Sequence, residues 1–288
     1  MSRYRYGRRR FSSQSLALAE SNRPRPRLKH PNCIARLALI AVLTALPASA
    51  MSAQSPIDLE LYARLLESHT RSVDDIAGVR VDYRGLARTL EWKTLVRQVS
   101  SARPSRLNRQ GQVAYWINAY NILTIDLVLK YYPVSGIKDI GSFFSPVWGF
   151  EVAKIEGQSI SLGQIEHEIL RPMGDPRVHS ALVCASISCP PLARTPFRPE
   201  ALDADLEAAM RAWLASSQKG IRIDRRARRI TISKIFDWYE DDFDAGGGIV
   251  DTIKRYVANN DAHWLHSEGK KVSIRYFDYD WSLNEWKR

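Results

Sequence analysis

Gln110-Gly-Gln-Val-Ala-Tyr-Trp-Ile-Asn-Ala-Tyr-Asn-Ile-Leu-Thr-Ile-Asp-Leu-Val-Leu-Lys-Tyr131 is apolar nearly all round a helical wheel. Val113, Trp116, Ile117, Tyr120, Ile122, Leu123, Ile125, Leu127 and Val128 leave almost no polar face, which predicts a buried helix stopped by Pro133. Helical spacing recurs over Ile57–Ser72 and over Gly85–Ser101, with Leu86, Leu90, Leu95 and Val99 inward. Ser161 and Gln164 form a capping box that opens a further helix to Leu170. Glu200–Ser216 places Leu202, Leu206, Ala209, Met210 and Trp213 inward, and Ile249–Ala258 follows a glycine run. Strand patterns occur at Val79–Tyr83, at Phe150–Ile155 and Gln158–Ser161 around Gly157, at Val178–Cys184, and at Val272–Tyr276. Ile221–Ile223 and Ile230–Ile232 pair as a hairpin around an arginine-rich turn. Intermixed helices and hairpins predict an α+β fold, mixed helices around an antiparallel sheet.

The N-terminal 50 residues have a different character. An arginine-rich lead is followed by the apolar run Cys33–Leu46 and then by Pro-Ala-Ser-Ala50, the order of a signal peptide. Cleavage is expected near Ala50, giving a periplasmic or secreted protein with no stable membrane span after cleavage. The division expected is 1–50 as the cleaved signal peptide and 51–288 as a single α+β domain. This segment holds ten Lys/Arg and one acidic residue, net +9, against +11 for the whole chain. Only about +2 remains for the other 238 residues, so the basic pI gives no reason to expect nucleic-acid binding. Arg222, Arg225, Arg226, Arg228 and Arg229 read as a solvated turn. A chain of that length builds its own core and needs no disulfide to do so.

The chemistry concentrates in His179-Ser-Ala-Leu-Val-Cys184-Ala-Ser-Ile-Ser-Cys189-Pro-Pro-Leu192, which holds both cysteines outside the first 50 residues. A thiol among small residues with an imidazole in reach is the minimum for nucleophilic catalysis. On a strand or a helix His179 and Cys184 point apart, so His179 is expected to support the site and not to act as the base. His167 is the other imidazole, flanked by Glu166 and Glu168 and seventeen residues before Cys184. An exposed Glu-His-Glu is otherwise a solvated face. Cys184 and Cys189 would lie roughly 8–9 Å apart in a helix and further in a strand, too far to pair, but a loop over Ala185–Ser188 would close the gap. A disulfide there would block the nucleophile or gate it by redox state. His167, His179, Cys184 and Cys189 match no standard zinc spacing, and neither metal nor cofactor is expected. Asn118 and Asn121, one turn apart on the apolar helix, are buried amides that need partners. They fit a structural hydrogen bond to a loop, or orientation of a catalytic imidazole or substrate carbonyl.

Five motifs in order carry a resemblance. They are Tyr115-Trp-Ile-Asn-Ala-Tyr-Asn121, Ile165-Glu-His167, Arg177-Val-His179 with Cys184-Ala-Ser-Ile-Ser-Cys-Pro-Pro-Leu192, Ile232-Ser-Lys-Ile-Phe-Asp-Trp-Tyr239, and Tyr279-Asp-Trp-Ser-Leu-Asn284. Across residues 60–284 the chain resembles the domain-of-unknown-function family numbered 547. It departs at Val183, where the family frequently has asparagine. The resemblance implies a papain-like or transglutaminase-like thiol enzyme, permuted because the histidine precedes the cysteine. Cys184 would then be the nucleophile, His167 the base, and Glu166 or Glu168 the orienting carboxylate. Backbone amides after Cys184, or Asn118, would hold the oxyanion. The expected activity is hydrolysis or acyl transfer at amide or ester bonds of a peptide or protein in the cell envelope. The alternative is a non-enzymatic periplasmic binding or scaffold domain with a structural Cys184–Cys189 disulfide.

Overall fold

The computed structural model describes residues 55–142 and 145–287, so the expected signal segment and its cleavage site at Ala50 lie outside the described residues. Asp58 accepts from Leu61 N–H at 2.9 Å and starts helix α1 (Leu59–His69). A short antiparallel pair follows, β1 (Thr70–Ser72) against β2 (Val79–Val81). Asp82 then caps the single turn α2 (Tyr83–Leu86), and Thr89 precedes α3 (Leu90–Ser101). The helix expected over Gly85–Ser101 is therefore broken at Ala87–Thr89. Arg88 and Thr89 donate to Gly85 and Leu86 carbonyls three residues back, and the Thr89 hydroxyl takes a further bond to Gly85 O. The break throws Leu90 outward to 74% exposure, while Leu86, Leu95 and Val99 are buried as expected.

Asn108 accepts from Gly111 N–H at 2.8 Å and opens α4 (Arg109–Tyr131), a helix of about 34 Å at 1.5 Å per residue. It is buried almost throughout from Val113 to Val128, and α2 and α3 pack on it. The hairpin β3 (Glu151–Ile155) and β4 (Gln158–Ser161) turns on Glu156 and Gly157, both at positive φ as a tight two-residue turn requires. Ser161 and Gln164 form the expected capping box at α5 (Leu162–Gln164). The helix then widens to a π turn over Ile165–Leu170. Bonding five residues back re-phases its faces: Ile165 and Glu166 are buried, whereas Ile169 is only half-buried.

The segment expected as a strand over Val178–Cys184 is instead one helical turn, α6 (Val178–Ala181), followed by extended backbone. Val178 and His179 N–H groups turn back to Asp175 and Pro176 carbonyls. Asn121 satisfies the rest, donating to Ala181 O and accepting from Val183 N–H, both at 2.9 Å. No strand partner is needed where a side chain meets the backbone in this way.

α7 (Leu202–Leu214) buries Leu202, Leu206, Met210 and Trp213. β5 (Ile221–Asp224) and β6 (Arg229–Ile232) form the expected antiparallel hairpin. The chain continues through α8 (Ile235–Trp238), α9 (Glu240–Phe243), α10 (Ile249–Lys254) and α11 (Asn259–Glu268) before β7 (Ser273–Tyr276) joins β6 in parallel. A parallel pair needs such a long crossover, and among the described residues three small sheets, one of them mixed, stand where one antiparallel sheet was expected. The fold is α+β. One apolar cluster surrounds α4; a second gathers Met210, Trp213, Ile230, Phe236, Phe243 and Ile253, with Trp213 and Phe236 stacked at 4.8 Å. Tyr279 packs against both clusters, and the segment after it bridges to Gly136, Ser186 and Val81.

Candidate functional site

Ala185 turns the chain at φ 62°, and the loop over Ala185–Ser188 folds back on itself. That loop brings the Cys184 and Cys189 Cα atoms to 6.3 Å, and the two cysteines are joined in a disulfide. Helix or strand geometry would have kept them apart. The C-terminal segment holds the loop from outside. Ile187 N–H donates to Ser282 O at 2.9 Å, Asn284 N–H to Ala185 O at 2.9 Å, and Asp280 N–H to the Ser188 hydroxyl at 2.9 Å. From inside, the buried Lys219 ammonium donates to Ala77 O at 2.7 Å, to Ile187 O at 3.2 Å and to Cys189 O. Burial pulls Lys219 down to about 7, with Asp75 opposing the shift and Arg80 adding to it.

His179 sits on α6, with its ring sandwiched against Tyr239 at 4.2 Å and its side chain almost fully buried. Its Nε2 lies 2.7 Å from Asp242 Oδ2. An ionised carboxylate only accepts, so Nε2 carries a proton and Nδ1 is the ring nitrogen left to exchange one. Arg171 grips the same carboxylate at both oxygens, 2.6 and 2.8 Å. Burial pushes the Asp242 carboxyl up, but the His179 and Arg171 bonds and charges outweigh it and hold the group far below the usual carboxylate range. Asp242 therefore stays charged and fixes the imidazole's orientation.

Cys184 is partly buried, and its Sγ lies 3.3 Å from the Ser186 hydroxyl and 3.3 Å from the Tyr279 hydroxyl. Tyr279 also donates toward Cys189 Sγ at 3.2 Å. Burial is the main reason the Tyr279 phenol is raised, so it remains an O–H donor. Cys184, His179, Glu166, Tyr239 and Tyr279 line one pocket of about 40 Å³, room for a water molecule. Trp148, Trp238 and Trp281 form its outer wall, with Trp238 stacked on Trp281 at 5.7 Å and 43% exposed.

The residues singled out from sequence fall into three groups. Cys184, Cys189, His179 and Glu166 come together at the pocket. His179, expected to point away from Cys184, lines the same pocket because the intervening segment is neither helix nor strand throughout. His167 does not line it: its Nδ1 is 3.3 Å from Arg171 Nη1, and burial lowers its pKa with Arg171 and His179 adding to the shift. Glu166 serves two phenols, accepting from Tyr120 at 3.2 Å and from Tyr239, and Glu168 is exposed. Asn118 and Asn121 both bond backbone groups of distant segments. Asn118 donates to Phe197 O at 2.8 Å and accepts from Phe197 N–H at 3.0 Å, the hydrogen bond to a loop that one of its two expected roles called for. Asp242, Tyr279 and Lys219 were not singled out as site residues. Asp242 lay in a dense acidic-aromatic run that reads as a solvated face, and only the tertiary fold brings it to His179. Among the described residues no group of three or more His, Cys, Asp or Glu is placed to hold a metal ion, and no helix is long and apolar enough to cross a membrane.

Comparison with known proteins agrees with the motif resemblance. Residues 104–214 match the family model described as "Protein of unknown function, DUF547". The matched stretch runs from the turn before α4 to the end of α7 and includes His179, Cys184 and Cys189. No curated protein and no solved structure matches the chain.

Proposed function

We propose that this DUF547-containing chain is a thiol-dependent hydrolase or acyltransferase whose Cys184 is masked, in the oxidised form, by its disulfide with Cys189. The carrying observation is that His179, held by Asp242 at 2.7 Å, lines the same pocket as the partly buried Cys184. A nucleophile, a base and a carboxylate that orients the base are the parts a covalent acyl-transfer site requires. His179 takes the base role here, and Asp242 the orienting role that the family resemblance gave to Glu166 or Glu168.

Activation needs a two-electron reductant. A dithiol supplies two electrons and two protons, becomes a disulfide, and leaves Cys184 and Cys189 as thiols. His179 Nδ1 then takes the Cys184 proton, and the thiolate sulfur bonds the carbonyl carbon of an amide or ester. The carbonyl π pair moves to oxygen, where the Tyr279 O–H is positioned to donate. Collapse expels the amine or alcohol, which takes the proton back from His179, and leaves a thioester on Cys184. Water or an acceptor amine bonds the thioester carbon and loses its proton to His179; the C–S bond then breaks, the acid or new amide leaves, and the Cys184 sulfur takes the proton back from His179. Cys184 is the attacking cysteine because Cys189 is buried. Disulfides persist in oxidising compartments, which supports export and a substrate in the cell envelope.

The second reading, a binding or scaffold domain, is favoured by the disulfide itself together with the tail and Lys219 bonds that brace its loop. An activated ester separates the two. Reduced protein treated with p-nitrophenyl acetate is expected to release nitrophenolate in a burst and to carry acetyl on Cys184 by peptide mass mapping. Oxidised protein and Cys184→Ser give no burst. Acetylation spread over surface lysines, equal in the reduced and oxidised forms, would support the scaffold.

A further inference from the structure

Among the described residues, the three-stranded sheet has an open edge. β5 pairs with β6 alone, whereas β6 is paired on both sides. Ser233 N–H donates to Gly220 O at 3.1 Å, which marks Gly220 and Ser233 as a hydrogen-bonded pair of the antiparallel ladder. Such pairs alternate, so Arg222 and Asp224 turn their backbone groups toward β6, while Ile221 and Ile223 turn theirs outward. Ile221 N–H is taken by Ser216 O at 3.0 Å. Among the described residues, no other backbone segment bonds to the edge at Ile223.

A groove of about 960 Å³ runs along this edge, between β5, the end of α7 and the segment after α10. Four guanidinium groups line it, from Arg211, Arg222, Arg225 and Arg229, against the carboxylates of Asp224 and Asp261. Three of the arginines are ion-paired: Arg225 to Asp261 at 2.8 Å, Arg229 to Asp224 at 3.2 Å and Arg211 to Glu207, a carboxylate that does not itself line the groove. Arg222 lies over the Phe277 ring at 5.1 Å, and Arg211 over Tyr256 at 5.6 Å with Glu207 at 3.4 Å. Arg222, which has no ion pair among the described residues, thus gives the groove its positive surplus, with Arg211 beside it.

We propose that the groove takes an acidic, extended peptide segment of a partner protein as a fourth strand on β5. The outward N–H and C=O of Ile223 pair with the peptide backbone, and alternate acidic side chains meet Arg222 and Arg211. A strand edge demands a partner with backbone donors and acceptors of its own, which a polyphosphate lacks. Asp224 and Asp261 also repel a continuous run of negative charge. The proposal is independent of the thiol chemistry.

The test uses the full chain and a fluorescein-labelled peptide of alternating valine and glutamate, read by anisotropy. Saturable binding is expected, weakened about tenfold by raising salt from 0.05 to 0.5 M. N-methylation of alternate peptide amides is expected to weaken it at least tenfold without any change to the protein. Arg222→Glu with Arg211→Glu does the same by charge. Ile223→Pro removes an outward N–H and leaves the β5–β6 ladder intact, so this variant is expected to fold and to lose binding. The proposal is overturned if no saturable binding is seen. It is equally overturned if the N-methylated peptide or polyglutamate binds as tightly as the probe, since the groove would then be an unspecific anion surface.

Discussion

At the scale of single residues, His179, Asp242 and Arg171 form one charged unit. Asp242 is ionised in the fold at a pH where an unfolded carboxyl, near 3.9, is protonated. Its contribution to stability is therefore present above about pH 4 and is lost as the pH falls toward its low folded value. Asp242→Asn is expected to lower the thermal midpoint at pH 7 and to flatten the decline between pH 4 and 2, measured by calorimetry across pH. Lys219 is a second unit. Met in its place leaves the buried carbonyls of Ala77 and Cys189, and the part-buried one of Ile187, without the Lys219 donor, at a cost of about 1–3 kcal/mol for each buried group left unsatisfied. Urea unfolding of Lys219→Met is expected to show a loss in that range or above, and reduction of the disulfide should be faster in the variant. The cysteines and both histidines were legible in the sequence because each carries chemistry by its type alone. Asp242 and Lys219 were not, because an aspartate in an acidic run and a lysine before a glycine look like surface until the fold buries them.

At the scale of elements, α4 was read almost to the residue, since its apolar pattern and its Asn108 and Pro133 boundaries are local signals. The capping box at Ser161 and the β3–β4 and β5–β6 hairpins were legible for the same reason. What local signals missed is what distant groups decide. The strand expected over Val178–Cys184 gave way to a turn because Asn121, on α4, takes its backbone bonds. Leu90 was placed inward by extending one helical phase across a break that Thr89 makes. The two leucines of α3 now make a sharp contrast. Leu95→Ala removes a fully buried side chain and is expected to cost about 2–5 kcal/mol, whereas Leu90→Ala should stay within about 0.5 kcal/mol by denaturant titration. Asn118→Leu, which strands Phe197 N–H and C=O, is expected to lose about 2–4 kcal/mol without altering thiol reactivity.

At the scale of the molecule, two apolar clusters meet at Tyr279, and the segment beyond it reaches the cysteine loop and β2. This closure joins residues some 95 positions apart around the Cys184 sulfur, which no local pattern announces. The disulfide closes only a short loop. Chain-entropy reasoning puts its stabilisation at about 2 kcal/mol, small beside two hydrophobic clusters, so reduction is expected to leave the far-ultraviolet circular dichroism unchanged. A fold that survives reduction is what a redox-masked site requires. The central claim is that reduction frees a Cys184 thiol that His179 activates. It is tested most directly by the pH profile of iodoacetamide labelling, mapped by mass spectrometry on oxidised and reduced protein. No labelling of Cys184 before reduction is expected, then fast labelling of Cys184 with an apparent pKa well below the ordinary thiol value of about 8.5. That pKa should rise toward the ordinary value in His179→Ala and stay in place in His167→Ala. A reduced Cys184 that titrates like an ordinary thiol, unchanged by His179→Ala, would contradict the account and leave the disulfide as a structural brace.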